Sequence, residues 1–198
     1  MTLDVWDTKL ASTGTDVTNR REALVAQLLP LVEQSYEVLA GKPVPLGADY
    51  QRSWQTDQLA EALTAERETD LRRGTTSVGP HRDELALSLD GLASRTEASQ
   101  GEQRTLALAL RLAGHLLVTD VLGEPPLLLL DDVLSELDDD RASALLDNLP
   151  PGQTVITSAT SLPPQTKPDK ILTFDSNGLP TAGPGSQDLP TETAVNGG

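Results

Sequence analysis

The segment 127–132 constrains the fold more than any other part of this chain, because four consecutive leucines are followed by Asp131 and Asp132. An unbroken apolar run of this kind is typical of a strand buried on both faces of a mostly parallel sheet. Such sheets bind ligands at the carboxyl ends of their strands. The sequence therefore predicts two acids at a ligand-binding edge, although a core strand followed by a helix-capping acid would show the same pattern.

Adjacent carboxylates at such an edge suit a hydrated magnesium ion and a water molecule that is to be activated. Mg²⁺ prefers oxygen ligands and is usually shared between protein carboxylates and substrate phosphates. The 198-residue chain contains no cysteine, which excludes disulfides and thiolate metal sites.

The acidic balance of the chain restricts its partners. Its formal net charge is −15, which argues against wrapping of nucleic acid by overall charge, because phosphate neutralisation needs clustered lysine and arginine. The segment 61–111 carries seven arginines and is the best candidate for a basic surface. No apolar run approaches the roughly 20 residues of a membrane span, and the N-terminus lacks a signal pattern, so a cytosolic protein without membrane contact is expected.

Hydrophobic periodicity predicts alternating helices and strands. Helices are expected over 19–40 with a bend at Pro30, over 57–74 with Asp57 as N-cap, over 99–118 and over 138–149; strands are expected over 84–89, 127–132, 154–157 and 170–174. The first two helices are predicted to form an antiparallel pair. The Gly-, Pro-, Ser- and Thr-rich stretch 176–198 is expected to be a disordered tail.

The segment 99–101, Ser-Gln-Gly, immediately precedes a predicted helix. The N-terminus of a helix binds phosphate through its amides, and a glycine lets an anion approach the backbone closely. Helix capping by Ser99 alone would explain the motif equally well. Its position in a series makes it more informative, because an apolar strand ending in Asp-Asp, then Ser-x-Leu-Asp, then a strand ending in threonine follow it.

This order resembles the C-terminal half of ABC-type ATPase heads and, within that superfamily, the RecF family of bacterial DNA replication and repair proteins. The closer match rests on the segments LDVWD (3–7), VGPHRD (78–83), ASQGEQR (98–104) and LDDVLSELD (130–138). The resemblance implies an α/β fold. It assigns 77–175 to the C-terminal half of an ATPase head and 1–76 to part of a helical arm.

The resemblance also implies roles at the strand end. Asp131 matches the Walker B carboxylate that holds Mg²⁺ through water, and Asp132 matches the catalytic acid that polarises the attacking water. Glutamate is commoner at the second position, and the shorter aspartate is consistent with slow ATP hydrolysis. Thr160 lies near the position of the switch histidine that senses phosphate.

A second group of residues matches the surface between two ATPase subunits. Ser99, Gln100 and Gly101 match the signature loop, which contacts the γ-phosphate of ATP bound by the opposite subunit of an ATP-dependent homodimer. Asp138 ends the D-loop, which crosses the same interface. His81 and Arg82 belong to a family motif without an assigned role, and ordinary structural roles are expected for both.

The phosphate-binding loop Gly-x-x-x-x-Gly-Lys-Ser/Thr does not occur in the sequence. Gly41-Lys42-Pro43 lacks its spacing, and Pro43 prevents the helix that must follow. In RecF-like proteins this loop lies in the N-terminal half, so the chain is expected to be a C-terminal portion that begins inside the arm. ATP and Mg²⁺ are expected to need the missing half, and this chain alone is expected neither to bind ATP tightly nor to hydrolyse it.

The resemblance implies action in recombinational repair of single-strand gaps, in DNA replication and in the SOS response, with DNA and RecO- and RecR-type mediator proteins as partners. DNA contacts in this half are expected among five arginines, which are more often simply solvated: Arg67, Arg72, Arg73, Arg95 and Arg111. Two other functions stay open. One is the nucleotide-binding head of a transporter or chromosome-condensing protein, which the Gly-Pro-His-Arg element disfavours, and the other is a truncated, non-catalytic dimerisation module.

Overall fold

A computed structural model describes residues 3–55, 58–159, 162–163, 166–175 and 178–181. The chain divides into two units, Met1–Ser161 and Leu162–Gly198. The helices of the first unit are α1 (Leu3–Ala40), α2 (Leu59–Arg73), α3 (Gln100–Leu122) and α4 (Asp139–Asp147), and a 3₁₀ turn covers Val133–Glu136. Its strands are β1 (Leu46–Gln51), β2 (Glu84–Leu89), β3 (Leu92–Ala93), β4 (Leu128–Asp131) and β5 (Thr154–Thr157).

Helix α1 is longer than its apolar periodicity predicts. It begins at Leu3 rather than at residue 19 and runs through Pro30 without a break in the assigned helix. The added turns pack against α2, which explains their helical state, since tertiary contacts override weak local preference. The helix ends before Gly41, whose φ of +67° suits glycine, as predicted.

Helices α1 and α2 form the predicted antiparallel pair. Arg67, late in α2, bonds to Asp4 and Asp7 at the start of α1, whereas Leu59, first in α2, lies beside Gly14 further along α1. A small core fills the contact, and its buried members are Trp54, Leu59, Ala62, Leu63 and Val78. The observed N-cap of α2 is Gln58, and Asp57 lies outside the described residues.

Strands β1, β2 and β3 form an antiparallel sheet in that order. The register of β1 with β2 runs from Leu46 opposite Leu89 to Gln51 opposite Glu84. The turn between β2 and β3 contains Asp90 and Gly91, both with positive φ, which matches the predicted hairpin turn.

Helix α3 packs along α1 and supplies much of the buried core. Buried side chains of the two helices include Val32, Tyr36, Leu39, Thr105, Leu106, Leu108, Ala109, Leu112 and Ala113. Among the described residues, α3 alone is long and apolar enough to cross a membrane by length and composition, a test that the core helix of a soluble protein also passes. Its packing against α1 is that of a core helix.

Strands β4 and β5 pair in parallel, with Leu128 opposite Thr154 and Asp131 opposite Thr157. The prediction that the leucine-rich strand is buried on both faces is wrong for this chain. Leu128 and Leu130 are 7% and 6% exposed, but Leu129 between them is 66% exposed. Successive side chains of a strand point to opposite faces, and in the part of the chain that the structure describes only one face of this strand is covered.

The second unit contains β6 (Thr173–Phe174) and β7 (Pro180–Thr181), which pair antiparallel. The strand predicted over 170–174 is therefore confined to its last two residues. Strand β7 lies in the stretch predicted to be a tail, whereas 176–177 and 182–198 lie outside the described residues.

Candidate functional site

The two predicted acids lie at the carboxyl end of β4. Asp131 is the last residue of the strand, and Asp132 follows it with a φ of 49°, in the left-handed region. Thr157 ends β5 directly opposite, and its hydroxyl donates a hydrogen bond to Asp131 Oδ1. The same oxygen accepts a hydrogen bond of 3.0 Å from the backbone N–H of Asp132. The predicted position of both acids at a strand end is thus confirmed, while their roles stay predictions.

The backbone after Asp132 turns at once into the 3₁₀ segment. The carbonyl of Asp132 accepts hydrogen bonds from the Ser135 hydroxyl at 2.9 Å and from the Ser135 N–H at 3.2 Å. Leu134, 9% exposed, anchors the turn in the core. A non-glycine residue with positive φ is unusual and is held here by hydrogen bonds on both of its sides.

The chemistry of this edge fits a hydrated magnesium ion. The side chains of Asp131 and Asp132 are both exposed, and carboxylate oxygens are ligands that Mg²⁺ prefers. Across the described ranges, no group of three or more His, Asp or Glu side chains is placed to hold a metal ion. The edge therefore suits an ion that completes its shell with water and substrate phosphates, and not a closed protein site.

Ser99 begins α3 with a reciprocal capping box. Its hydroxyl accepts a hydrogen bond from the Glu102 N–H, while its own N–H and hydroxyl donate to Glu102 Oε2 at 2.9 and 2.7 Å. The side-chain hydrogen bond from Ser99 is the main reason that the pKa of Glu102 lies below its usual value, with help from the Ser99 amide, Lys42 and Arg141. The helix thus begins at the predicted residue, and its first turn carries an ionised carboxylate.

Arg141 brings the Ser99 turn next to Asp138. Asp138 caps α4 by accepting a hydrogen bond of 2.9 Å from the Arg141 N–H, and it also pairs with Arg141 Nη1 at 2.8 Å. A Cβ added to Gly101 would lie 3.1 Å from the same Nη1. Sequence reasoning missed Arg141, although a cation in the first turn of a helix opposes the helix dipole and is a usable signal.

Arg104 connects α3 to the loop between the two groups of predicted residues. Its guanidinium contacts the carbonyl of Glu136 at 3.4 Å. The structure thus groups Ser99, Gln100 and Gly101 with Asp138 through Arg141, and groups Asp131 with Asp132 through Thr157. Thr160, the predicted phosphate sensor, lies outside the described residues.

The five arginines predicted to contact DNA are spread over several elements. Arg67 binds Asp4 and Asp7, so its guanidinium is already paired within the arm. Arg72 and Arg73 lie in the last turn of α2 and Arg111 on α3, all three exposed. Arg95 is 87% exposed and lies 3.7 Å from Glu84.

The VGPHRD motif forms a junction between the arm and the antiparallel sheet. His81 and Arg82 both contact the Thr76 carbonyl, at 3.2 and 3.0 Å. These contacts agree with the structural roles that were expected for the two residues.

Asp83 is the central residue of that junction, and sequence reasoning missed it. Its carboxylate accepts hydrogen bonds from Tyr50 at 2.8 Å, from the Ser53 N–H at 2.9 Å and from Thr18 at 3.2 Å. Burial alone would raise the pKa of Asp83, but the hydrogen bonds outweigh it and lower the pKa. The carboxylate therefore joins α1, β1 and β2 in its ionised form.

Comparisons with known proteins give a consistent result. A DNA replication and repair protein RecF from Rippkaea orientalis is 44% identical over 154 residues, which are 73% of this chain and 40% of that protein. RecF of Synechocystis sp. is 46% identical over 153 residues, with the same two shares. RecF of Frankia alni is 43% identical over 174 residues, 80% of this chain and 45% of that protein. The resemblance to RecF is confirmed. No family model matches the chain.

Solved RecF structures share the fold. The structure titled as recombination mediator protein RecF-ATP in the RecFOR pathway superposes with a TM-score of 0.69 at 31% identity, covering 80% of this chain and 45% of that one. The RecF-ATPrS structure gives a TM-score of 0.75 at 28% identity, covering 90% and 49%. The predicted α/β fold of a RecF-type, ABC ATPase-like head is thereby confirmed. The chain spans about two fifths of the length of the curated RecF relatives it matches.

Proposed function

We propose that this chain is the C-terminal half of a RecF-like, ATP-dependent DNA-binding protein acting in recombinational repair of single-strand gaps, in DNA replication and in the SOS response. The observation that carries the proposal is the pairing of two groups on one RecF-like fold. Asp131 and Asp132 lie at the end of a parallel strand, and the Ser99 turn lies beside Asp138. Curated relatives named DNA replication and repair protein RecF support it.

In this proposal the acidic edge serves ATP hydrolysis. Asp131 holds Mg²⁺ through water, and Asp132 polarises the attacking water. The ion supplies electrostatic stabilisation of phosphate charge when it is bound. ATP and Mg²⁺ both depend on a phosphate-binding loop from the N-terminal half of the complete protein, and Thr160 senses the γ-phosphate.

The Ser99 turn serves the opposite subunit of an ATP-dependent homodimer. Ser99, Gln100 and Gly101 contact the γ-phosphate that the opposite subunit binds, and Asp138 lies at the same interface. The free N–H groups of the first turn of α3 and the positive end of its dipole favour a phosphate there.

The complete protein acts in the cytoplasm on DNA gaps and duplex junctions, with RecO- and RecR-type mediators as partners. Arg72, Arg73, Arg95 and Arg111 are the DNA contacts proposed for this half, because their side chains are exposed. Arg67 would first have to leave Asp4 and Asp7.

The test combines this chain with a full-length RecF relative, such as that of Synechocystis, which can supply the ATP-loaded subunit. The labelled chain is titrated with the relative in ATP and in ADP, and association is read by fluorescence anisotropy. We expect tighter association in ATP, and we expect Ser99→Ala to weaken it while the exposed helical control Ser12→Ala does not. Equal association in the two nucleotides would refute the proposal.

A direct nucleotide titration tests the dependence on the missing half. The 198-residue chain alone is expected to show no ATP binding at micromolar concentrations and no hydrolysis. Micromolar binding by the isolated chain would contradict this part of the proposal.

A further inference from the structure

We propose that Arg141 is a phosphate-contact residue whose guanidinium moves from Asp138 to the γ-phosphate of a nucleoside triphosphate that the Ser99 turn receives from another subunit. This inference rests on the proposed function, because it adds a residue to the same intersubunit contact. Arg141 belongs to none of the sequence motifs that suggested that contact.

The first support is the position of the guanidinium. Arg141 Nη1 lies 3.1 Å from where a Cβ of Gly101 would be, so the cation lies against the backbone at the start of α3. Gly101 does not adopt the positive φ that would require glycine. The absence of a side chain at residue 101 instead leaves room for the guanidinium of Arg141.

The second support is the charge of the turn that would receive the phosphate. Glu102 occupies the Ser99 hydroxyl and amide with an ionised carboxylate. A phosphate that approaches this turn meets a like charge, which a nearby cation must offset. Lys42 and Arg141 both lower the pKa of Glu102 by their charge, and Arg141 is the one in van der Waals range of the turn.

The third support is the freedom of Arg141 to change partner. Its side chain is 29% exposed and makes an i,i+3 ion pair with Asp138, which is itself 55% exposed. Ion pairs of this exposure contribute little free energy, so a multiply charged phosphate can replace the carboxylate. A cavity of about 400 Å³ beside Arg141, lined also by Gly41, Asp138 and Ala144, gives the side chain room to turn.

The experiment measures ATP-dependent association of variants of this full chain with a full-length RecF relative. Arg141→Gln is expected to weaken association in ATP about tenfold or more, because a charge-assisted contact is lost, and to leave the weaker association in ADP unchanged. Arg141→Lys, which keeps the charge but not the bidentate geometry, is expected to fall in between.

Two matched variants control for charge. Arg104→Gln removes the same charge from the second turn of α3, and Lys42→Gln removes the other cation that acts on Glu102. Both are expected to stay within about twofold of the unmodified chain, a difference that corresponds to well under 1 kcal/mol. Thermal unfolding of each variant shows whether the fold is kept.

The outcomes separate this inference from the proposed function. If the unmodified chain shows no ATP-dependent association, both are refuted. If Ser99→Ala loses the ATP dependence while Arg141→Gln keeps it, the proposed function stands and the role of Arg141 is refuted. An equal loss for Arg141→Gln in ATP and ADP, or a loss as large for Lys42→Gln, also overturns the inference, since it indicates a structural role or a general charge effect.

Discussion

The hydroxyl of Thr157 holds the carboxylate of Asp131 across the parallel pair formed by β4 and β5. The same hydroxyl accepts a hydrogen bond from the N–H of Asp132. One side chain at the end of β5 thus fixes both acids of the preceding strand end. The orientation of the candidate metal edge depends on this threonine as well as on the two aspartates.

Replacing Thr157 by valine removes both hydrogen bonds with little change in volume. We expect the free energy of unfolding to fall by about 1 kcal/mol, the net value of such contacts, as measured by urea denaturation. Thr157→Ser keeps the hydroxyl and is expected to retain most of that free energy. Equal losses for valine and serine would show that the methyl group and not the hydroxyl stabilises this edge.

Two adjacent leucines of β4 test its one-sided burial. Leu130 is 6% exposed and Leu129 is 66% exposed. We expect Leu130→Ala to lower the free energy of unfolding by about 2–5 kcal/mol, as for other buried leucines. Leu129→Ala is expected to stay within about 0.5 kcal/mol. Similar values for the two variants in urea denaturation would show that both faces of the strand are buried.

Two helical glycines are expected to respond to alanine in opposite directions. A Cβ at Gly14 in α1 would lie 2.7 Å from Leu59 Cδ2 and 3.2 Å from Pro80 Cδ. Overpacking there outweighs the helix propensity of alanine, so we expect a loss of about 1 kcal/mol.

Gly114 in α3 provides the matched comparison, because a Cβ there has nothing within 4 Å. Gly114→Ala is expected to stabilise the chain by about 0.5–1 kcal/mol through reduced unfolded-state entropy. Thermal and urea denaturation of the pair measure both signs. A stabilised Gly14→Ala variant would show that α1 and α2 can move apart at no cost.

The junction at Asp83 predicts a pH dependence of stability. Its pKa in the folded chain lies below the ordinary value of 3.8, so folding favours the carboxylate. The resulting stabilisation is present above about pH 4 and is lost as the pH falls through the folded pKa. Asp83→Asn is expected to lower the free energy of unfolding by about 1–3 kcal/mol near pH 7.

The difference between the unmodified chain and Asp83→Asn is expected to shrink as the pH is lowered from about 5 towards 2, measured by urea denaturation. Tyr50→Phe removes one donor but keeps the carboxylate, so it is expected to destabilise less and to keep the pH dependence. A difference that is constant over this range would show that the ionised form of Asp83 is not preferred by the fold.

Local chemistry made several features of the chain predictable. Ser99 begins α3, and Gly74 ends α2 in the left-handed conformation, as the residue types suggest. Alternation predicted β2, and the apolar run followed by two acids placed Asp131 at a strand end. These features depend on contacts within a few residues, such as N-caps, left-handed C-caps and side-chain alternation, and a single sequence displays them directly.

The sequence by itself therefore determined the element types, the strand-end acids, the capped turn and the family resemblance. Only the tertiary structure decided that Leu129 is open while Leu130 is buried, that Arg141 lies against Gly101, and that Asp83 joins three elements. Each of these depends on which elements pack together, and Gly101 and Arg141 are 40 residues apart in the chain. Burial and partner choice are set by surfaces distant in sequence, so local periodicity carries no record of them.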